Sequence, residues 1–315
     1  MSIATPPVAA DVRSDAADLR LSLVLRQRIS DYAEISRPRI AVMTMISVAV
    51  GFTLASPVVF QGTTLLVALV GIVQLVAASS ILNQCLERGT DARMQRTSER
   101  PLVTGRLPIS EAVVTALALS VCGTWLLSTF VNIATAAATL ATLATYVLGY
   151  TLLKPRTSLC TTIGAIPGAM PPVLGWLAAG GSFGIEALAL FGVFFVWQFP
   201  HFLAIGWIHR DDYRQAGLRM LPSFTDKGLL TGLLAVIYAA AFIPISVLPA
   251  AIGLSGDIYF LAALVFSTAY LVFSCRFLLN RSRDVARQLL LYSLLCLPLL
   301  LLALVLDFLR LTSVG

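Results

Sequence analysis

The stretch Asn83-Gln84-Cys85-Leu86-Glu87-Arg88-Gly89-Thr90-Asp91 marks the point at which a long apolar run gives way to charge. Residues 65–82 before it contain no ionisable side chain, and basic and acidic residues follow it in close succession. If one helix continues through the junction, Asn83, Glu87 and Asp91 occupy positions i, i+4 and i+8, on one face over about 12 Å. We therefore predict a row of oxygen-bearing side chains at the end of an apolar helix.

Such a row suits Mg²⁺, a hard cation that keeps some waters and bridges to phosphate oxygens. Arg96 and Arg100 follow closely and could form paired hydrogen bonds to phosphate. Together, Mg²⁺ and arginine would neutralise a diphosphate leaving group. The alternatives are a solvated helix end that happens to hold acids, and arginines that only contact lipid headgroups. The second alternative does not explain why acids lie among the arginines.

The composition is that of an integral membrane protein. Of the 315 residues, 58% are hydrophobic and only 12% are charged, whereas soluble domains carry about a quarter charged residues. The mean hydropathy is +0.87. The net charge of +6 is better explained by membrane topology and anionic ligands than by nucleic acid.

Hydropathy predicts an all-α membrane protein, a bundle of nine transmembrane helices. The predicted segments are 40–58, 64–86, 111–131, 134–153, 161–179, 186–208, 229–249, 258–279 and 288–307. With the N-terminus cytoplasmic and the C-terminus outside, every Lys and Arg except Arg310 falls on the cytoplasmic side. This asymmetry favours both the helix count and the orientation.

Three divisions of the chain follow. Residues 1–34 are predicted to be a polar cytoplasmic tail, partly disordered at Pro6-Pro7, with neither a signal peptide nor a transit peptide. Residues 35–310 would form the nine-helix domain, and 311–315 a C-terminal tail.

Glycine and proline are dense over 164–172, which predicts a broken helix that lines a cavity. The five cysteines show no metal-ligand spacing, so we expect neither disulfides nor zinc.

A second acidic cluster follows the sixth segment. Asp211 and Asp212 end this segment as Glu87 and Asp91 end the second, and two such clusters at one depth could form a paired-metal diphosphate clamp. Lys154 could complete an anion site after the fourth segment, or only anchor a helix end.

An intramembrane histidine lies about two turns inside the sixth segment. His201 has Trp197 and Gln198 on or near its face. Polar residues at such depth favour a functional role, but a histidine that is hydrogen-bonded within the bundle is the commoner case.

These residues resemble a known family. The first loop is similar to the aspartate-rich motif of the intramembrane aromatic prenyltransferases of the ubiquinone-biosynthesis type. The finer match, over roughly residues 30–310, is to the heme branch of that family, the heme O synthases (protoheme IX farnesyltransferases). Its hallmarks resemble Ser36-Arg37-Pro38-Arg39, Leu153-Lys154 with Arg156-Thr157, Gly168-Ala-Met-Pro171-Pro172-x-x-Gly175-Trp176, and Trp197-Gln-Phe-Pro-His201-Phe through Asp212-Tyr213-x-x-Ala216-Gly217-x-x-Met220-Leu221.

The resemblance implies an Mg²⁺-dependent transfer of a farnesyl group from farnesyl diphosphate to a vinyl group of heme b, giving heme o. By the same resemblance, the catalytic acids and amide would be Asn83, Glu87, Asp91, Asp211 and Asp212. Among them, the magnesium ligands would be Asn83, Glu87, Asp91 and Asp212. The diphosphate would be bound by Arg37, Arg96, Arg100, Lys154 and Arg210, and the acceptor by Trp197, Gln198, His201 and Tyr213. Glu87 stands where the family more often has Asp, and Pro155 and Ser158-Leu159-Cys160 also depart from its pattern.

The resemblance further implies a multi-pass protein of the cell inner membrane, with farnesyl diphosphate, heme b and the lipid bilayer as partners. A downstream heme o-modifying enzyme or a terminal oxidase assembly would receive the product, and no nucleic acid is expected. The closest rival is a quinone-pathway or other lipid aromatic prenyltransferase with the same diphosphate site. A transporter would place its ionisable residues at mid-membrane, and a structural subunit would not need acids in both loops.

Overall fold

The computed structural model describes residues 8–56, 60–218, 221 and 228–314. Within these ranges the chain is helical and contains no strand. The helices are α1 (Val8–Ser36), α2 (Pro38–Leu54), α3 (Gly62–Asp91), α4 (Pro101–Thr104), α5 (Ile109–Phe130), α6 (Ile133–Ala144), α7 (Cys160–Ala178), α8 (Ile185–Ile208), α9 (Arg210–Gln215), α10 (Leu229–Ala251), α11 (Asp257–Leu279) and α12 (Arg283–Val314). A π-helical segment, Thr145–Thr151, extends α6.

A long helix lies at each of the nine predicted apolar segments. The observed helix ends differ most from the predicted ones where a helix continues beyond its apolar part into charged residues. Helix α3 runs to Asp91, and α12 spans Arg283–Val314. The predicted N-terminal tail is helical from Val8, and Pro6-Pro7 lies outside the described residues. The predicted C-terminal tail continues α12 up to Val314.

Seven of the described helices are long and apolar enough to cross a membrane. The pair Ser22–Ser36 and Pro38–Leu54, bent by 53°, would supply an eighth crossing if it is one span. Helix α7 falls outside this set because glycines and prolines lower its mean hydropathy. The chain is therefore a multi-pass membrane protein of all-α architecture.

The prediction of a broken helix at 164–172 is wrong. Helix α7 runs unbroken from Cys160 to Ala178 with Pro167, Pro171 and Pro172 inside it. Neighbouring helices tolerate such prolines because their packing supports the backbone groups that proline leaves unpaired. Most of the second half of α7 is buried, between α2 and α8.

Helices α2 and α7 meet backbone to backbone. A methyl group added at Gly51 would overlap the carbonyl oxygen of Pro172, and one added at Gly175 would overlap the carbonyl oxygen of Val48. Small residues allow this approach in membrane helices, where van der Waals packing supplies much of the association energy. The contact fixes α2, and with it the chain at the start of α2, against α7.

One buried carboxylate joins α11 and α12 at the end of the bundle where α12 finishes. Asp307 is 1% exposed, and its Oδ2 accepts hydrogen bonds from the backbone N–H groups of Gly256 (2.8 Å) and Tyr259 (3.0 Å). These are donors that the first turn of α11 leaves free. Arg310 pairs with the other oxygen at 2.8 Å.

We expect Asp307→Asn to destabilise the fold by about 1.5–3 kcal/mol, because hydrogen bonds to a charged acceptor contribute that much. The apparent melting temperature of the detergent-purified protein measures the loss. The matched control is Asp284→Asn, which changes an exposed acid in the first turn of the same helix. Equal losses in the two variants would contradict a capping role for Asp307.

Candidate active site

A cavity of about 300 Å³ lies where the start of α2, the end of α3, the following loop, the π segment and α9 converge. It is lined by Arg37, Ile40, Asn83, Glu87, Asp91, Met94, Arg96, Arg100, Tyr146, Tyr150, Lys154 and Tyr213. The lining is largely polar and contains all three residues of the predicted α3 row. It also contains four of the five basic residues predicted to bind a diphosphate.

The α3 row lies on one helix face, as predicted, because α3 continues through the junction to Asp91. Asn83 and Asp91 are each 1% exposed and Glu87 is 7% exposed. Buried carboxylates need partners, and the carboxylates of Glu87 and Asp91 each form an ion pair with a basic side chain. Lys154 Nζ lies 3.0 Å from Glu87 Oε1, and Arg100 Nη1 lies 2.6 Å from Asp91 Oδ2.

Asp91 retains unused acceptor capacity. Its Oδ1 is buried and has no hydrogen-bond partner among the described residues. An orphaned carboxylate oxygen costs free energy unless a further group binds it. A cation or an additional donor in the cavity would satisfy it.

Arg37 holds an unusual backbone conformation at the edge of the cavity. It is the one non-glycine residue in the described chain with a positive φ, at 52°, and it precedes Pro38 at the start of α2. Its Nη2 lies 3.4 Å from Asn83 Oδ1. Left-handed backbone at a non-glycine residue costs about 1–3 kcal/mol and clusters at functional sites.

Two tyrosines that were not predicted from the sequence also line the cavity. Tyr146 and Tyr150 lie in the π segment, and their rings stack with centroids 5.4 Å apart. Lys154 Nζ lies 5.6 Å from the Tyr150 ring centroid. The spacing of 146, 150 and 154 by four residues is the signal that could have found them, since it repeats that of the α3 row.

The cavity carries an excess of positive charge, with four basic and two acidic lining residues. Burial and the nearby Arg37 lower the pKa of Arg100, whereas Asp91 opposes this shift. A guanidinium group stays protonated in proteins even when its pKa is lowered, so Arg100 stays charged. A chamber with this balance attracts an anion.

The second acidic cluster does not line the cavity. Asp211 is half exposed and pairs with Arg283 of α12 at 2.8 Å, and Asp212 lies 3.6 Å from His209. Burial and Arg96 lower the pKa of His209, with Asp212 opposing, so His209 is neutral at pH 7.

Of the predicted second-loop residues, Tyr213 alone lines the cavity. It packs in a small apolar cluster with Met94 of the first loop, and this contact joins the two loops. Arg210, also predicted to bind diphosphate, instead lies over the Trp207 ring at 4.5 Å.

The predicted acceptor residues of α8 do not line the cavity: Gln198 and His201 are buried among the helices, and Trp197 is half-buried. His201 Nδ1 lies 2.7 Å from Ser293 Oγ, and its ring stacks on Trp197 with centroids 5.0 Å apart. Trp197 Nε1 donates to the carbonyl of Ser293 at 3.0 Å. Gln198 Nε2 donates to the carbonyl of Ala165 at 3.1 Å. Helices α7, α8 and α12 are thereby linked.

The donor set fits Mg²⁺. Within the described residues, no three His, Cys, Asp or Glu side chains come close enough to hold a metal ion by themselves. Mg²⁺ is commonly held by one or two carboxylates together with waters and substrate phosphates. Glu87 and Asp91 supply the two carboxylates, and the Asn83 amide supplies a further oxygen. The Asp91 Oδ1 atom, which has no partner among the described residues, is available as a ligand.

Comparison with known proteins gives close relatives over nearly the whole chain. The protoheme IX farnesyltransferase of Koribacter versatilis (strain Ellin345) is 42% identical over 98% of this chain and 99% of its own. The protoheme IX farnesyltransferase of Solibacter usitatus (strain Ellin6076) is 39% identical over 86% of this chain and 96% of its own.

Solved structures share the fold at low identity. A structure of digeranylgeranylglyceryl phosphate synthase superposes with a TM-score of 0.74 at 16% identity, over 90% of this chain and 99% of that one. A UbiA homolog from Archaeoglobus fulgidus, bound to GPP and Mg²⁺, superposes with a TM-score of 0.56 at 17% identity, over 87% and 99%. The profile of the UbiA prenyltransferase family matches residues 44–308. The chain therefore belongs to the UbiA prenyltransferase family and is a transferase.

Proposed function

We propose that this enzyme transfers a farnesyl group from farnesyl diphosphate to a vinyl group of heme b, giving heme o. One observation carries the proposal: the α3 row and four basic side chains line a single cavity with an excess of positive charge. The names of the relatives support the choice of heme as acceptor.

The cavity would bind the diphosphate of the donor. Arg37, Arg96, Arg100 and Lys154 are placed around it, and their cations would neutralise phosphate oxygens. In the described state Lys154 and Arg100 pair with Glu87 and Asp91. A bound diphosphate would compete for the two cations and leave the carboxylates available as metal ligands.

Asn83, Glu87 and Asp91 would hold Mg²⁺, which supplies Lewis-acid stabilisation of the departing diphosphate. A similar structure bound to GPP and Mg²⁺ supports a divalent ion in such a site. Asp211 and Asp212 would supply further charge near Tyr213, once Arg283 releases Asp211.

The proposed reaction breaks one bond of the donor and forms one carbon–carbon bond and one carbon–oxygen bond on the acceptor. The allylic C1–O bond of farnesyl diphosphate breaks, and the diphosphate leaves with the electron pair. The terminal vinyl carbon of the heme donates its π electrons to C1 and forms the new C–C bond. The cation left beside the macrocycle takes a water oxygen, the water loses a proton, and the hydroxyethyl group results. Tyr146 and Tyr150 line the cavity with rings that stack on each other, and aromatic rings stabilise nearby cations.

The acceptor would lie on the α8 side, where Gln198 and His201 are buried in the bundle, Trp197 is half-buried and Tyr213 reaches the cavity. We further propose that the helices at the nine predicted apolar segments all cross the cell inner membrane, with the N-terminus cytoplasmic and the C-terminus outside. The domain would span residues 35–310. The product would pass to a heme o-modifying enzyme or a terminal oxidase assembly.

The test uses the purified protein with heme b, farnesyl diphosphate and Mg²⁺, followed by mass analysis of the extracted heme. We expect heme o to form, EDTA to stop its formation, and added Mg²⁺ to restore it. A deletion strain should lose heme o and the hemes made from it and keep its quinones. A strain that loses only quinones would instead assign the enzyme to an aromatic acceptor.

A further inference from the structure

Thr151 lies at the end of the π segment, next to the α3 row but outside the cavity lining. It is 5% exposed, and its Oγ1 donates a hydrogen bond to the carbonyl of Tyr146 at 3.1 Å. A hydroxyl group has one hydrogen to donate. With that hydrogen used, Thr151 Oγ1 can act only as an acceptor toward any other neighbour.

The other neighbour is the side-chain amide of Asn83. The two side chains meet at 3.0 Å in a buried contact. Since Thr151 Oγ1 must accept, Asn83 presents its Nδ2–H₂ group to Thr151 and directs its Oδ1 the other way. Arg37 Nη2 lies 3.4 Å from that oxygen, which is consistent with an acceptor at this position.

The hydrogen bond between the Thr151 hydroxyl and the Tyr146 carbonyl follows from the geometry of the π segment. Its hydrogen bonds run from residue i to i+5, so Tyr146 and Thr151 are paired along the helix. The carbonyl that receives the Thr151 hydroxyl is therefore supplied by the segment that also carries both cavity tyrosines.

We propose that Thr151 is a positioning residue that fixes the Asn83 amide with its oxygen toward a divalent cation at the donor site. The proposal rests on the metal-dependent transfer proposed above. Mg²⁺ takes oxygen ligands, whereas a flipped amide would present an NH₂ group, which cannot bind the cation. Thr151→Val removes the acceptor at constant shape and so removes the preference between the two orientations.

The test measures Mn²⁺ binding to the full-length protein in the presence of inorganic pyrophosphate, by water-proton relaxation. We expect Thr151→Val to weaken Mn²⁺ binding about 10- to 100-fold, as for other groups that orient metal ligands. Thr151→Ser keeps the hydroxyl and should keep the parent affinity. In the transfer assay, Thr151→Val should need more Mg²⁺ for half-maximal rate and recover most of its turnover when Mg²⁺ saturates.

The matched control is Thr139→Val. Thr139 is 2% exposed in α6, and its hydroxyl donates to the carbonyl of Thr135 without contact with the cavity lining. It should lose stability like Thr151→Val and keep Mn²⁺ affinity.

Asn83→Ala separates the positioning role of Thr151 from the metal-ligand role of Asn83, on which it depends. If Asn83→Ala weakens Mn²⁺ binding and Thr151→Val does not, the positioning role of Thr151 is overturned and the metal site stands. If Asn83→Ala also binds Mn²⁺ like the parent, Asn83 is not a ligand and both assignments fall.

Discussion

Asp91→Asn is expected to reduce the rate of farnesyl transfer at least about 100-fold, the scale seen when one preorganised electrostatic group is removed from a catalytic site. Asp91 is 1% exposed, pairs with Arg100 through Oδ2 and leaves Oδ1 without a partner. Asparagine keeps the shape but removes the charge, so Arg100 loses its counterion and the proposed metal site loses a charged ligand. The initial rate of heme o formation, normalised to folded protein, measures the effect.

Asp307→Asn is the control for this prediction. It makes the same change at another buried aspartate that pairs with an arginine, away from the cavity lining. It should lower stability and leave the rate per folded molecule unchanged. An Asp91→Asn enzyme that works at the parent rate would remove Asp91 from the catalytic set.

Replacement of Gly51 or Gly175 by alanine should destabilise the bundle by about 3 kcal/mol or more, at the upper end of the range for overpacking. At each position the added methyl would overlap a backbone carbonyl oxygen of the facing helix. Backbone cannot rotate away as a side chain does, so α2 and α7 would have to separate. Thermal denaturation in detergent and recovery of monodisperse protein measure the loss.

Gly89→Ala provides the comparison. Gly89 is also helical, near the end of α3, but nothing lies within 4 Å of an added Cβ there. Alanine at an open helical position should be neutral or raise stability by about 1 kcal/mol. If all three variants melt at the same temperature, the close approach of α2 and α7 is not what limits stability.

The sequence was informative wherever hydropathy and helical periodicity act alone. Apolar runs long enough for a bilayer placed a helix at each of nine segments of the described chain, and the four-residue spacing of the α3 row placed three side chains on one face. The expectation that cations bind phosphate oxygens also placed Arg100 and Lys154 with that row, and both line the cavity. The catalytic roles of these residues stay predictions.

Other features depend on backbone geometry or tertiary contacts that hydropathy does not report. The π segment adds one residue to a helical turn and changes no hydropathy value, so hydropathy did not point to Tyr146 and Tyr150, and only their four-residue spacing to Lys154 could have done so. Asp211 looks in sequence like a partner of the α3 row, but Arg283, 72 residues later, binds it instead. The unbroken α7 could not be foreseen because whether prolines break a helix depends on the neighbours that pack around it.

The contact between α2 and α7 also bears on how a long isoprenoid reaches the reaction chamber. At Gly51 and Gly175 no layer of side chains separates the two helices, so this seam has nothing that can swing aside. If the proposed substrate enters from the lipid, its isoprenoid chain would therefore pass between other pairs of helices, where side chains fill the gap and can move.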